Sequence, residues 1–339
     1  MIRFCSSSLA IALAFPVSAA MSQEVETPSG VVEFVGLHHW TIQMIEDSMK
    51  VHAPRKPLGQ CAGVLRALGF PSAQSLGWTS ADGRSSTLVL VVEPQDSALV
   101  RYRKLSGRKS TPLRAWRDGY STLKDNVAAY QLGAQEFGIY AVRDTVLEHL
   151  ILRSYPSDSA EVRFFWRFLE RSRNPQSANL AERTLLEDAS VDSRRVAAAI
   201  LGAQRGRVRA WYALVKGLRD PDERVAAAAE MGLTSLLTGA QSPIDWRPAL
   251  TDVRAILDGT NVLALRTMLL VLTKTKVDPM LARALLPENG GLVLDLLASH
   301  SPTHQDAAHA FLVRLAGKDL GPAPDNWRTW LRGIHARAI

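Results

Sequence analysis

The chain has 339 residues, 47 % of them hydrophobic and 22 % charged, with a formal net charge of +7. These proportions exclude wholesale disorder and leave room for about two domains with a buried core. The charge excess is mild. It favours acidic partners such as anionic head groups, acidic proteins or polyanions, and does not by itself indicate nucleic acid.

Residues 1–20 read as a secretory signal peptide. Arg3 supplies the positive start, Leu9 to Phe15 is a short apolar run, and Val17-Ser18-Ala19-Ala20 offers small residues for cleavage. The run is too short to span a bilayer as a helix, and no later stretch is long and uncharged enough to do so. The expectation is an exported soluble protein, periplasmic or secreted; a true start at Met21 would make it cytoplasmic. Cys5 lies too far upstream of the cleavage site to carry a lipid anchor. Removing the signal leaves Cys61 as the single cysteine, so no intramolecular disulfide can form.

Residues 21–30 are polar, hold Pro28 and Gly30, and predict a flexible lead-in. Residues 31–155 predict a small α or α+β domain. Val31 to Leu37 reads as a strand or a helix entry. His38 to Val51 has helical apolar spacing, and Cys61 to Leu68 is a short helix closed by Gly69. Thr87 to Val92 is β-branched and Leu-rich, preceded by the turn signal Asp82-Gly83 and ended by Pro94. Leu99 to Leu105 is a candidate partner strand. Val127 to Leu132 predicts helix.

Residues 156–339 predict helix almost throughout, with short connectors. Asp220-Pro221-Asp222-Glu223 carries an N-cap Asp, a Pro at the first helical position and a Glu at the capping-box position; Ser301-Pro302 repeats the cap-and-Pro logic. The stretch Arg195-Val196-Ala197-Ala198-Ala199 returns as Arg224-Val225-Ala226-Ala227-Ala228, a shift of 224 − 195 = 29 residues. A fixed period near this length in an Ala- and Leu-rich background marks stacked helix pairs.

From Asp220 to Ala229 the sequence resembles the start of the second helix of a HEAT repeat, and Arg194 to Gly202 is similar without the Pro. Looser units follow at Asn261 to Arg266 and at Gln305 to Ala310, and Asp325 to Leu331 would be the end cap. The resemblance implies a mainly α protein: a right-handed HEAT-like α-solenoid preceded by the small N-terminal domain. It implies a scaffold role in protein–protein interaction and carries over no catalytic residue and no cofactor.

Several constellations are candidates for chemistry or recognition. Cys61 at a helix start, with His149 in the later apolar stretch Leu147 to Leu152, has the order of a Cys–His hydrolase or transferase. The competing reading is a buried helix cysteine acting as a small hydrophobe. His38-His39 with Glu46 and His52, and His300 with His304 and His309, could be arranged as metal clusters, but adjacent histidines diverge and the Ser-Pro break separates His300 from the other two. Arg101, Arg103, Lys104, Arg108, Lys109, Arg114 and Arg117 form a basic run with no acidic residue, flanked by Tyr102 and Trp116. This run is the candidate contact for an anion, an acidic partner or an anionic surface, and is otherwise a solvated loop. Arg163, Arg167 and Arg171 make a basic stripe at a spacing of four, the candidate partner stripe. The expected partner is a protein, acidic in character, and neither catalytic residue, metal, cofactor nor nucleic acid is assigned.

Overall fold

The computed structural model describes residues 22–79, 85–108, 114–143, 145–154, 159–238 and 242–336. The proposed signal peptide, the Asp82-Gly83 turn and Lys109 lie outside the described residues. The chain is mainly helical with a small N-terminal sheet.

The sheet holds β1 (Gln23–Thr27), β2 (Gly30–Val35), β3 (Ser72–Thr79) and β4 (Ser85–Val92) in the order β1-β2-β4-β3. The two outer pairs are antiparallel, while β2 and β4 run parallel in the middle, with Val31 opposite Ser86 and Val35 opposite Leu90. Parallel neighbours need a long crossover, and α1 (Ile42–His52) and α2 (Ala62–Ala67) lie within it. The period-2 alternation divides β4 cleanly. Val89 and Val91 join Val32 and Phe34 against Ile45, Met49 and Leu65 of these helices. Leu88, Leu90 and Val92 face the other way with Val35, into the core of the helical body. Burial on both faces explains why β4 reads as an uninterrupted apolar run.

The polar segment read as a flexible lead-in contains β1 instead. An edge strand can be built from polar letters because one face and one edge stay near solvent, and only Val25 needs to turn inward. The candidate strand Leu99 to Leu105 does not enter the sheet; β4 already has β2 and β3 as neighbours.

The helical body comprises α3 (Arg117–Asp125), α4 (Val127–Ala141), α5 (Thr145–Ser154), α6 (Ser159–Arg171), α7 (Pro175–Glu187), α8 (Val191–Gly202), α9 (Val208–Gly217), α10 (Glu223–Leu237), α11 (Leu250–Leu257), α12 (Leu265–Lys274), α13 (Ala282–Leu285), α14 (Gly291–Leu297), α15 (Pro302–Ala316) and α16 (Pro324–Ala336). Helix α8 packs on α7 and α10, α4 packs on α6 and α10, and α14 packs on α15 and α16. Helices α3 and α4 thus belong with this body rather than with the sheet. The buried Tyr130 hydroxyl donates to the Arg195 carbonyl at 2.7 Å, and the Trp166 indole N–H donates to the Gly133 carbonyl at 3.0 Å.

Small residues set the closest contact between helices. A Cβ on Gly202 would lie 2.6 Å from the Gly232 Cα, so the α8 and α10 backbones touch there. Caps close the helix starts: the Asn174 carboxamide accepts from Ser177 N at 2.9 Å, and the Asp222 carboxylate accepts from Arg224 N at 3.0 Å. The α10 start therefore differs from the sequence expectation. Asp222 is the N-cap and Pro221 stands outside the helix, because Asp220 is turned into the interior.

Candidate functional site

Strands β2 and β4 end side by side at Val35 and Val92. The crevice beyond the carboxyl ends of parallel strands is where open sheets usually take ligands. Here it is a cleft of about 1140 Å3 between the sheet and the helical body. Gly36, Val91, His38 and His39 line the sheet side; Arg254 and Asp258 near the end of α11, Asp295 of α14 and Arg328 and Arg332 of α16 line the other. Gly36 has φ +91, and a Cβ there would come within 2.2 Å of the Val91 carbonyl oxygen, so the turn out of β2 requires glycine.

One buried carboxylate organises the sheet side. Glu93 follows β4 and is fully buried. It accepts from the backbone N–H groups of His38 and His39 at 3.0 Å and of Trp40 at 2.7 Å, and pairs with His39 Nδ1 at 2.7 Å. Burial pushes this carboxyl up, but the N–H groups of Trp40, His39 and His38 and the His39 imidazole outweigh it and hold the group below the usual carboxylate range. Glu93 thereby pins the loop after β2.

The pinned loop presents His38 to the helical body. Its Nε2 lies 3.4 Å from Asp295 Oδ2, and the Asp295 side chain is only 6 % exposed. The Asp295 carboxylate raises the His38 imidazole above its ordinary value against the opposing effect of burial, with Glu93 and Asp96 adding to the rise. A second tie lies just beyond the same, C-terminal end of α14. Glu33 of β2 accepts from the His300 backbone N–H at 2.7 Å, and the His300 ring stands 3.1 Å from Glu24. The last turn of α14 and the connector that follows it are thus both fastened to the sheet side.

The other charged groups of the cleft are largely paired. Arg254 holds Asp258 through both carboxylate oxygens, at 2.9 and 3.1 Å, and Arg328 pairs with Asp325. Two imidazoles, each against a buried carboxylate, form a set of oriented donors and acceptors able to bind a polar ligand. Among the described residues, no group of three or more His, Cys, Asp or Glu is placed to hold a metal ion. The two histidine sets are dispersed: His38 goes to Asp295 and His39 to Glu93, while His304 bonds Ser301 and His309 bonds Asp319.

Nothing in the sequence pattern joined position 38 to 295. The one readable signal was Glu93 itself, an acidic residue closing a five-residue apolar run, where a charge survives burial only if it is bonded.

The basic run is split. Residues 100–108 form an ordered strap along the helical body rather than a free loop. Arg101 N donates to Thr260 Oγ1 at 2.9 Å, Arg103 N to the Arg219 carbonyl at 2.8 Å, and Ala189 N to the Arg108 carbonyl at 2.8 Å. Arg103 departs from the anion-contact expectation. Its side chain is 3 % exposed, and its guanidinium donates to Asp220 and to the carbonyls of Leu185 and Leu186. Arg101, Lys104, Arg108, Arg114 and Arg117 remain at the surface, with Arg108 3.4 Å from Glu187. Arg163, Arg167 and Arg171 are all exposed on α6, opposite the buried Phe165, Phe168 and Leu169.

Cys61 is buried against Ile45, Leu65 and Val89 in the sheet layer, and burial pushes its thiol up to about 12. His149 is exposed on α5. The structure does not bring the two together in one hydrophobic cluster, and the thiol shift runs against nucleophile activation.

No family model, curated protein or solved structure matches the chain.

Proposed function

We propose that the chain is an exported, non-enzymatic binding protein that seats a protein partner in the cleft between its sheet and its helical body. The observation that carries this reading is the cleft itself. It lies at the carboxyl ends of β2 and β4, has room for several partner side chains, and the His38–Asp295 and His300–Glu33 contacts tie α14 and the connector after it to the sheet side. A seat that is already built spares the partner the cost of ordering it.

The helical body is read as a HEAT-like stack that acts as the rigid frame for this seat. The buried pair of Arg194 with Asp220, 26 residues apart, supports that reading, because it joins the first turn of α8 to the connector before α10, the two places that lie just ahead of the repeated letters. Arg219 and Asp252 make a similar tie one step further on. The raised thiol of Cys61 and the distant surface position of His149 favour binding over Cys–His catalysis. Export rests on the N-terminal letters, and among the described residues no helix is long and apolar enough to cross a membrane. The exposed Arg163, Arg167 and Arg171 stripe is the secondary contact in this reading.

The reading is tested by narrowing the cleft. Leu99→Trp and Arg332→Glu both alter its lining. Loss of partner retention in both variants, with melting temperature unchanged, is the expected result. Undiminished retention in both, with loss on reversing the α6 stripe to Glu, would move the seat to α6 and overturn the proposal.

A further inference from the structure

Around His38 the cleft is locally acidic, which the net charge of the chain conceals. Four aspartates line it: Asp96, Asp258, Asp295 and Asp325. Asp258 is held by Arg254 and Asp325 by Arg328. Asp96 and Asp295 remain, and His38 faces both, with Arg332 also in the lining. Asp295 is the more demanding of the two. Its side chain is 94 % buried by the complement of its 6 % exposure, and its Oδ2 has no hydrogen-bond partner. The His38 contact at 3.4 Å is longer than the roughly 2.7–3.2 Å of a good N–H···O bond. A buried carboxylate with acceptor capacity to spare is costly unless a donor, preferably charged, completes it.

Resting on the reading of the cleft as the partner seat, we propose that its inner end takes a basic side chain of the partner, an ammonium or guanidinium group, on Asp295 and Asp96, with the His38 imidazole giving way to it. The partner chemistry at this point is thus the reverse of what the overall charge of +7 suggests. His38 is 37 % exposed, so its ring has solvent to move into. Glu93 does not compete for the incoming cation, since the Trp40, His39 and His38 N–H groups and the His39 ring already occupy it. Arg332, across the cleft on α16, has no carboxylate partner among the described residues and is left to meet a carbonyl or carboxylate next to the basic side chain.

Binding and protonation are then opposed. His38 is faced by Asp295 from α14, by Glu93 and Asp96 from the end of β4 and the turn after it, and by His39 from its own loop; Arg254 and Asp258 near the end of α11 and Asp325, Arg328 and Arg332 on α16 complete the surroundings. His38 is the imidazole set directly against the Asp295 carboxylate. Protonated His38 competes for Asp295, and neutral His38 yields it.

The test uses purified full-length protein and three blocked amino acids: Nα-acetyl-arginine methylamide, its uncharged citrulline counterpart, and the glutamate analogue. Titration calorimetry at about pH 8 is expected to show the arginine probe binding about ten-fold or more tightly than citrulline, as charge-assisted pairing requires, with glutamate weakest. Asp295→Asn should erase the arginine preference. His38→Ala, which removes the competing imidazole, should tighten arginine binding and abolish its weakening toward about pH 5.5. Equal binding of arginine and citrulline, preference for glutamate, or an arginine preference that survives in Asp295→Asn would overturn the inference. A partner still captured in the cleft while the arginine probe shows no preference would remove this inference alone. An arginine preference without any partner would remove the partner reading and leave a cation subsite.

Discussion

Arg103 and Asp220, 117 residues apart in the chain, meet inside the helical body with side chains 3 % and 0 % exposed. Arg194 joins them, its Nε 2.9 Å from Asp220 Oδ2 and its Nη2 3.0 Å from Oδ1. Two buried guanidiniums on one carboxylate leave an excess positive charge. The carbonyls of Leu185, Leu186, Asp188 and Ala189, at and just beyond the C-terminal end of α7, accept further Nη donors of the two guanidiniums, while Arg103 Nε is buried without a hydrogen-bond partner among the described residues. The negative end of a helix dipole is the right environment for that excess.

Removing the shared carboxylate strands two cations, whereas removing one arginine leaves a complete pair. Asp220→Ala is therefore expected to cost about 3–5 kcal/mol, at the scale of a broken buried ion pair, and Arg103→Ala distinctly less. Urea unfolding midpoints would measure both. A smaller cost for Asp220→Ala than for Arg103→Ala would refute the shared-anchor description.

The contact between α8 and α10 gives a packing prediction. A Cβ on Gly202 meets the Gly232 Cα at 2.6 Å and its carbonyl oxygen at 3.1 Å, so the obstacle is backbone and cannot rotate away. Gly202→Ala is expected to destabilise by about 1–3 kcal/mol. Gly63→Ala in α2, where a Cβ meets nothing within 4 Å, is expected to stabilise by about 0.5–1 kcal/mol. Thermal melts of the two variants should shift in opposite directions.

Two histidines predict opposite pH slopes. Burial, with Arg266 adding to it, lowers His304 from 6.5 to about 4. The unfolded chain then binds the proton more readily than the folded one, so stability is lost as pH falls below the unfolded value toward about 4. A depression of this size corresponds to at most about 3 kcal/mol. His38 is raised, so its contribution is complete below the unfolded value and is lost as pH rises through the folded one. His304→Gln should flatten the acid limb of the stability profile, and His38→Gln the limb on the alkaline side of the ordinary imidazole value. An acid limb that persists unchanged in His304→Gln would contradict the assignment.

Cys61 should resist thiol reagents in the native protein, because it is buried and its thiol is pushed up to about 12. Labelling is expected to appear only along the unfolding transition. Fast stoichiometric labelling of the native chain would revive the Cys–His alternative.

The helices after residue 159 were legible because their apolar spacing and connector signals agree, and β4 because burial on both faces produces an unbroken apolar run. The limits of β1 were not legible, since an edge strand needs little apolar surface. The basic run misled for a different reason. Arg103 looks like Arg101 and Arg108 in the letters, and only the partner Asp220, far along the chain, distinguishes an interior cation from a surface one. The cleft was the least legible part. Its ties join position 38 to 295 and position 33 to 300, and long-range polar pairs leave no periodicity to read.

Site-specific photo-crosslinking compares the cleft with the rest of the surface. A photoreactive residue replaces Thr329, which lines the cleft on α16, and in a second protein replaces the exposed Arg167 on α6. A discrete protein adduct from position 329, diminished by Leu99→Trp, is the expected result. Adducts from position 167 alone, or an adduct at 329 that is insensitive to filling the cleft, would contradict the assignment of the cleft as the partner seat.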